Sequence, residues 1–243
     1  MPIRRSIKLG MLALGAAAAL AAGAAQPAQT DAATYDLSIA GMRLGSVQVS
    51  GRQEGARYSA AGRVTPNAVV GAVTGYAFDG RASGTVAGDG RLIPDRFVAD
   101  SSSPRAKRRT EIEWRDGAPV RVSVEPPRRR PADPSQVVGA LDPVSAGFAI
   151  LRDNPPERIC NARFDVFDGS RRSRLSLGEA QARDGGYVCA GVYARVEGES
   201  HSLSNQDEYP FTLTFAPNGD GTVRLVRIET QTRLGLAVVT RRG

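Results

Sequence analysis

The segment YVCAGVYARV, residues 187–196, decides the fold class, because every second residue has a similar character. If the segment is extended, five apolar side chains share one face: Val188, Ala190, Val192, Ala194 and Val196. The other face then carries Tyr187, Cys189, Gly191 and Tyr193. A period of two predicts a β-strand, and one apolar face is typical of an antiparallel sheet that is solvated on its other side.

The same alternation recurs along most of the chain. It is found in Tyr35–Ile39, Val47–Val49, Val120–Val124, Phe211–Phe215, Val223–Thr232 and Leu234–Val239. Turn-forming sequences punctuate these segments, among them Ala40–Arg43, where Gly41 supplies a positive φ, and Asp89-Gly90, Asp116-Gly117, Asp168-Gly169 and Asn218–Gly221. About a dozen strands with hardly any helix must curl or split to bury their apolar face. We therefore predict an all-β, mainly antiparallel fold, a curled sheet, open barrel or β-spiral, in preference to a sandwich.

One segment interrupts the β pattern. Residues 126–134 read PPRRRPADP, a stiff and basic connection that cannot pair regularly. Asp142 and Pro143 then suit the start of a helix, and Asn154-Pro155-Pro156 stops it. We expect a short helix at about 143–152 that covers the curled sheet; the functional alternative is a movable lid.

The first 25 residues predict export. MPIRRSIK is a short cationic segment, and the apolar run after it ends in small residues around Ala24 and Ala25. This pattern is typical of a signal peptide at 1–25, which leaves a single domain at 26–243 and a periplasmic location. A membrane anchor is the alternative, but the run is short and rich in alanine.

The charge of the chain is basic. It carries 32 Lys+Arg and 25 Asp+Glu, and three of the basic residues leave with the signal peptide. The remaining excess suits contact with an anionic lipid or polysaccharide. An exported protein has little access to nucleic acid, so we expect no nucleic-acid partner.

Cys160 and Cys189 are the two cysteines of the chain. In an oxidising compartment two thiols most simply form one structural disulfide. A redox pair normally has two residues between its cysteines, and a metal site needs more ligands than these thiols and the single histidine, His201, supply. These remain the alternatives to a structural disulfide.

Several segments together resemble a known family. They are YDLSIAGMRLG at 35–45, ARYSAAGRV at 56–64, GRLIPDRFVAD at 90–100, LDPVSAGFAILR at 141–152, ARFDVFDGSRRSRLSL at 162–177 and YVCAGVYARVEG at 187–198. In order and spacing they resemble the bacterial exported family called domain of unknown function 3108, and the Leu-Asp-Pro-x-Ser helix is the most specific part. The resemblance implies an antiparallel β architecture in the periplasm. A looser similarity joins the chain to periplasmic β-spiral proteins implicated in envelope integrity, and neither resemblance brings catalytic residues.

The motifs do not favour an enzyme. The chain has no G-x-S-x-G and no H-E-x-x-H, and GRASG around Ser83 has the wrong spacing for a nucleophile elbow. The stretch PNGDGT lacks the further ligands of a calcium loop. We expect no catalytic residue, no metal and no cofactor, with a hydrolase lacking familiar motifs as the least favoured class.

Two kinds of segment suit binding. The basic clusters are Arg105, Lys107, Arg108, Arg109 and Arg128, Arg129, Arg130; the apolar stretch at 67–78 contains Val69, Val70 and Val73. The clusters suit an anionic envelope component, and the stretch suits the mouth of a ligand groove. The alternatives are solvated loops for the clusters and core packing for the stretch.

These features predict a periplasmic cell-envelope protein of unknown molecular activity that binds an apolar or lipid-like ligand. We expect an acyl chain on the concave face of the sheet and its anionic head group at the basic loops. The alternative is a structural or adaptor protein with a filled core that recognises another envelope protein. An unfilled apolar cavity favours the first hypothesis, and a packed interior with an exposed apolar patch favours the second.

Overall fold

The computed structural model of the protein describes residues 29–104, 106–199 and 207–243. The predicted signal peptide at 1–25, Arg105 and His201 lie outside the described residues, as does the side chain of Val73.

Within the described residues, fourteen strands form one sheet in which all neighbouring strands run antiparallel. The strands are β1 (Gln29–Ile39), β2 (Met42–Glu54), β3 (Arg57–Pro66), β4 (Ala77–Val86), β5 (Leu92–Ser103), β6 (Ala106–Arg115), β7 (Ala118–Glu125), β8 (Arg163–Phe167), β9 (Arg172–Leu177), β10 (Gln181–Arg183), β11 (Gly186–Glu197), β12 (Glu208–Pro217), β13 (Val223–Thr232) and β14 (Gly235–Arg241). Their order is β7-β6-β5-β4-β3-β2-β1-β14-β13-β12-β11-β9-β8, with β10 beside β11. The sheet is not closed, and the predicted fold class is confirmed.

In the part of the chain that the structure describes, two α-helices accompany the sheet, α1 (Ala68–Thr74) and α2 (Pro143–Leu151). The bounds of α2 agree with the predicted helix to within one residue, and the Asp142 side chain accepts the backbone N–H groups of Val144 and Ser145. Helix α2 packs against β2, β3, β4 and β5 on one side and β8 and β13 on the other. It therefore fills the concave face of the curled sheet.

A glycine makes room for this helix. A Cβ atom on Gly51 of β2 would overlap the ring of Phe148, which is 1% exposed. The same ring stacks on Tyr58 of β3, with 6.1 Å between centroids. Without a side chain at position 51, the helix approaches the strand closely enough to bury the ring on all sides.

The irregular segment 126–142 joins the two free edges of the sheet. It bonds to the β8–β9 side through Ala132 N and Ser170 O at 2.8 Å, and Leu141 pairs with β8 through Asp165 O and Phe167 N. It bonds to the turn between β6 and β7 through Gly139 N and Gly117 O, at 2.7 Å. The Pro-rich connection thus closes the curl where regular strand pairing ends.

The buried face of β11 differs from the sequence expectation. The structure buries Cys189 and Gly191, whereas Ala190 and Val196 on the opposite face are exposed. The Cys189 face packs with larger side chains of neighbouring strands, including Phe215 and Leu177. Periodicity identified the strand correctly, but the choice of face was wrong, because Cys189 is held in the core by its disulfide bond to Cys160 and by the larger side chains of the neighbouring strands.

Cys160 and Cys189 form the predicted disulfide, with their Cα atoms 6.0 Å apart. Both residues are buried in a core cluster with Leu213 and Leu225. The bond ties the loop before β8 to the middle of β11.

The strand directions divide the turns into two ends of the sheet. One end, here called the rim, holds the β1–β2 turn, α1, the β5–β6 turn, residues 126–130, the β8–β9 turn and the β13–β14 turn. The opposite, far end holds the β2–β3, β4–β5, β6–β7, β10–β11 and β12–β13 turns. Helix α2 begins after Leu141, and its C-terminal Arg152 donates to Gly90 O at the far end.

Candidate functional site

Three arginines meet where the curled sheet closes, and we call them the arginine cluster: Arg108 of β6, Arg128 of the connection and Arg171 of the β8–β9 turn. Arg108 Nε donates to Pro126 O at 3.0 Å, and Arg171 Nε donates to Glu199 O at 2.8 Å. The side chains of Arg128 and Arg171 are only 22% and 11% exposed. Residues far apart in sequence are thus brought to one partly buried place.

The electrostatics of the cluster favour an anion. Burial lowers the pKa of Arg128, and the neighbouring charges of Arg171 and Arg108 lower it further. Two carboxylates raise the pKa of Arg128 in turn, those of Glu199 and Asp168. Glu199 Oε2 lies 3.9 Å from Arg128 Nη1, and Asp168 Oδ2 lies 3.4 Å from Arg171 Nη1. Three cations that share two carboxylates leave a local positive excess, which a phosphate or carboxylate group would neutralise.

Hydrogen bonds between backbone N–H groups and two glutamate side chains hold the segment that carries Arg128 in place. Glu199 Oε1 accepts the N–H groups of Arg129 and Arg130 at 2.9 and 3.0 Å, and Glu197 Oε1 accepts that of Asp133 at 3.1 Å. A Cβ atom on Gly169 would lie 2.8 Å from a methyl group of Thr110, so the β8–β9 turn rests directly on β6. Arg128 and Arg171 are therefore presented by two anchored segments, the connection and the β8–β9 turn.

The structure separates the predicted basic residues. Lys107 and Arg109 alternate with Arg108 along β6, so they lie on the convex face of the sheet, and Arg129 and Arg130 are exposed. The expectation that these cations lie in loops is wrong for Lys107, Arg108 and Arg109, because β6 extends to the rim. Arg108 and Arg128 are the two predicted residues from different clusters that converge.

A groove crosses the convex face beside Lys107. It is about 500 Å³ and is lined by β3 to β6: Arg63, Val64, Thr65, Ala77, Phe78, Asp79, Asp100, Ser101, Ser102, Lys107, Arg108 and Arg109. Arg63 pairs with Asp79, and Arg109 pairs with Asp100 at 3.1 Å and Glu111 at 2.9 Å. These carboxylates neutralise Arg63 and Arg109, whereas Lys107 and Arg108 line the groove without an ion pair to a described residue.

The apolar stretch at 67–78 forms helix α1 and the start of β4. Val69 is 74% exposed and Val70 is half-buried, so the core alternative fails for Val69. Phe78, in the same stretch, lines the groove with Lys107 and Arg109 and also packs against the core. The structure thus places parts of two predicted binding segments side by side.

A buried polar chain lies beneath helix α2. Tyr58 Oη and Ser145 Oγ are 2.7 Å apart, and Ser145 Oγ donates to Asp142 Oδ2. Asp142 and Ser145 are 0% exposed and Tyr58 is 3% exposed. Burial raises the pKa of Asp142 to about 6, although hydrogen bonds from Ser145 and Val144 lower it. Without access to solvent, this chain anchors the helix to β3.

Arg171, Glu199 and Asp168 belong to the site but were not singled out from the sequence. The signal was weak: Arg171 follows the turn sequence Asp168-Gly169 as one of several arginines. Within the described part of the chain, no group of three His, Cys, Asp or Glu residues is arranged to hold a metal ion. Among the same residues, no helix has the length and apolar character needed to cross a membrane.

Comparison with known proteins identifies one family. The family model described as "Protein of unknown function (DUF3108)" matches residues 34–185, which is more than half of the chain. No curated protein and no solved structure matches. The matched span includes α2 with its Asp142 cap and the Arg128 connection, and it ends before β11.

Proposed function

The chain belongs to the DUF3108 family of proteins of unknown function, and we propose that it is an exported, periplasmic protein that binds an anionic, lipid-like component of the cell envelope. The arginine cluster is the proposed site for the anionic head group. The observation that supports this most is the presence of three guanidinium groups around two carboxylates in a partly buried site. Guanidinium groups bind phosphate or carboxylate oxygens in pairs, and partial burial strengthens such bonds.

The concave face does not offer the apolar space that the sequence hypothesis expected for an acyl chain. Phe148 and Val144 of helix α2 occupy it, and both are at most 4% exposed. The cavity between α2 and β1 is about 130 Å³, below the size of usual ligand sites. We therefore propose that the apolar part of the ligand stays outside the curled sheet.

A head-group binding experiment tests the proposal. Short-chain dihexanoyl phosphatidylglycerol, kept below its micelle concentration, is titrated into the purified protein by calorimetry, with inorganic phosphate as competitor. Arg128→Gln with Arg171→Gln should weaken binding by about tenfold or more, because charged hydrogen bonds contribute roughly 1.5–3 kcal/mol each.

Arg224→Gln is the matched control, since Arg224 is exposed on β13 and has no ion pair with a described residue. Equal affinity of the cluster variant and the control would reject the arginine cluster as the binding site.

A structural or adaptor protein is the second candidate. The filled concave face favours it, because a packed interior leaves the outer surface as the place of recognition. A cross-linking experiment in the periplasm that finds one stoichiometric protein partner, together with no lipid binding, would favour this candidate.

A further inference from the structure

Large apolar side chains are exposed at the rim. Met42, Val69 and Leu234 are 66%, 74% and 76% exposed. The described strand-to-strand turns of the far end instead carry residues such as Gly55, Asp89-Gly90, Asp116-Gly117, Asp184-Gly185 and Asn218–Gly221. Val138, exposed in the connection beside Gly117, is an apolar exception at the far end. Turns are usually polar, so apolar residues at the tips of one end require a reason.

The three apolar tips are neighbours. Ala40 N donates to Leu236 O at 2.9 Å, which joins the β1–β2 turn to the β13–β14 turn. On the other side, Asn67 at the start of α1 donates from its side chain to Arg43 O at 2.6 Å and from its backbone to Leu44 O at 2.7 Å. Leu234, Met42 and Val69 therefore project from three adjacent elements.

Positively charged side chains lie at the rim beside the three exposed apolar residues. Ser102 Oγ donates to Gly75 O, which joins the end of α1 to the β5–β6 side of the rim. Five rim cations have no ion pair with a described residue: Lys107, Arg108, Arg129, Arg130 and Arg233. Of the described rim carboxylates, Glu125, Glu197 and Glu208 have no ion pair with a described residue, so the unpaired charge of the rim is positive on balance.

We propose that the rim docks onto an anionic lipid bilayer, with Met42, Val69 and Leu234 entering the interface and the neighbouring cations contacting the head groups. Apolar side chains next to cations are the combination that binds anionic membrane surfaces. Three separate exposed side chains can each enter a lipid bilayer, because lipids rearrange around them. A protein partner instead requires a continuous complementary surface. The inference rests on the proposed function only in that both use an anionic head group, and the arginine cluster lies at this same end.

A tryptophan reporter tests the docking. Leu234→Trp places an indole at an exposed tip, and Val138→Trp places one at the far end; wild-type protein corrects for buried Trp114. With vesicles of phosphatidylglycerol and brominated phosphatidylcholine, the reporter at 234 should be quenched and that at 138 should not. The same vesicles serve for flotation of a triple variant, Met42→Ser/Val69→Ser/Leu234→Ser, and of Val138→Ser as its control. About fivefold less of the triple variant should float, because it lacks the apolar side chains that enter the bilayer.

Equal quenching at both positions, or equal flotation of the triple variant and the control, would overturn the proposal. Flotation on neutral phosphatidylcholine that matches flotation on phosphatidylglycerol would reject the anionic surface. If soluble phosphatidylglycerol binds the arginine cluster but position 234 is not quenched, docking fails alone. If position 234 is quenched but the cluster variant binds the soluble lipid like wild type, the proposed function fails alone.

Discussion

The hydroxyl oxygens of Tyr58 and Ser145 lie 2.7 Å apart inside the core and join strand β3 to helix α2. Ser145 in turn donates to Asp142, whose carboxylate also caps the helix. Three residues of the Leu-Asp-Pro-x-Ser motif therefore have structural roles: Asp142 and Pro143 begin the helix, and Ser145 links it to the sheet.

Asp142 should make stability depend on pH. Burial raises its folded-state pKa to about 6, above a value of about 3.9 in the unfolded chain. The folded protein then holds the proton more tightly, so this stabilisation is complete below pH 4 and is lost as pH rises through 6. We compare the unfolding free energy of wild type with that of Asp142→Asn by urea unfolding at pH 4 and pH 7. The difference, wild type minus variant, should be roughly 2–3 kcal/mol lower at pH 7 than at pH 4. A pH-independent difference between the two proteins would contradict this.

The ring of Phe148 should be a major source of stability. Phe148→Ala removes a ring that is 1% exposed and should cost about 3–5 kcal/mol of unfolding free energy. Leu234→Ala is the control, since its side chain is 76% exposed, and its effect should be near zero. A small effect of Phe148→Ala, measured by chemical unfolding, would mean that α2 does not pack on the sheet as described.

Gly51 and Phe148 should be energetically coupled. Gly51→Ala forces a methyl group into the ring and should cost about 1–3 kcal/mol in wild type. In the Phe148→Ala background the methyl group has room, so the same change should cost little. A double-mutant cycle measures the coupling, and additive effects would show that the two positions do not touch.

The disulfide should contribute to stability. Cys160→Ser with Cys189→Ser should lower the unfolding free energy by about 2–4 kcal/mol while the far-ultraviolet circular dichroism stays that of a β protein. Reduced wild-type protein is the matched control and should unfold like the double variant. Thiol labelling of native, non-reduced protein should find no free cysteine; two labelled thiols would reject the bond.

The arginine cluster should contribute more to ligand binding than to the stability of the fold. Arg128→Gln removes a cation that is crowded by Arg171 and Arg108, so the unfolding free energy should stay within about 1 kcal/mol of wild type. Glu199→Gln should destabilise more at low salt, because Glu199 opposes the cluster's charge and accepts two backbone N–H groups. Thermal unfolding with and without phosphate checks both, and a strongly destabilised Arg128→Gln would indicate a purely structural arginine.

The sequence predicted those features that depend on local chemistry. Alternation in residues 187–196 predicted a strand, Ala40-Gly41 predicted a turn in which Gly41 has a φ of +80°, and Asp142-Pro143 predicted the start of α2. Two cysteines in a chain that looks exported predicted their bond. Each of these follows from neighbours along the chain or from the count of a residue type.

Only the tertiary structure decided which surfaces meet. Alternation alone cannot tell which face of β11 is buried, because that depends on the size of side chains from strands on either side, such as Phe215 and Leu177. In the same way, Arg108 and Arg128 converge with Arg171 because the sheet curls until the connection 126–142 joins its two free edges, whereas Lys107 lies on the opposite face. Register and curvature are properties of the whole sheet, so the composition of the arginine cluster and of the rim emerges only when all the strands are in place.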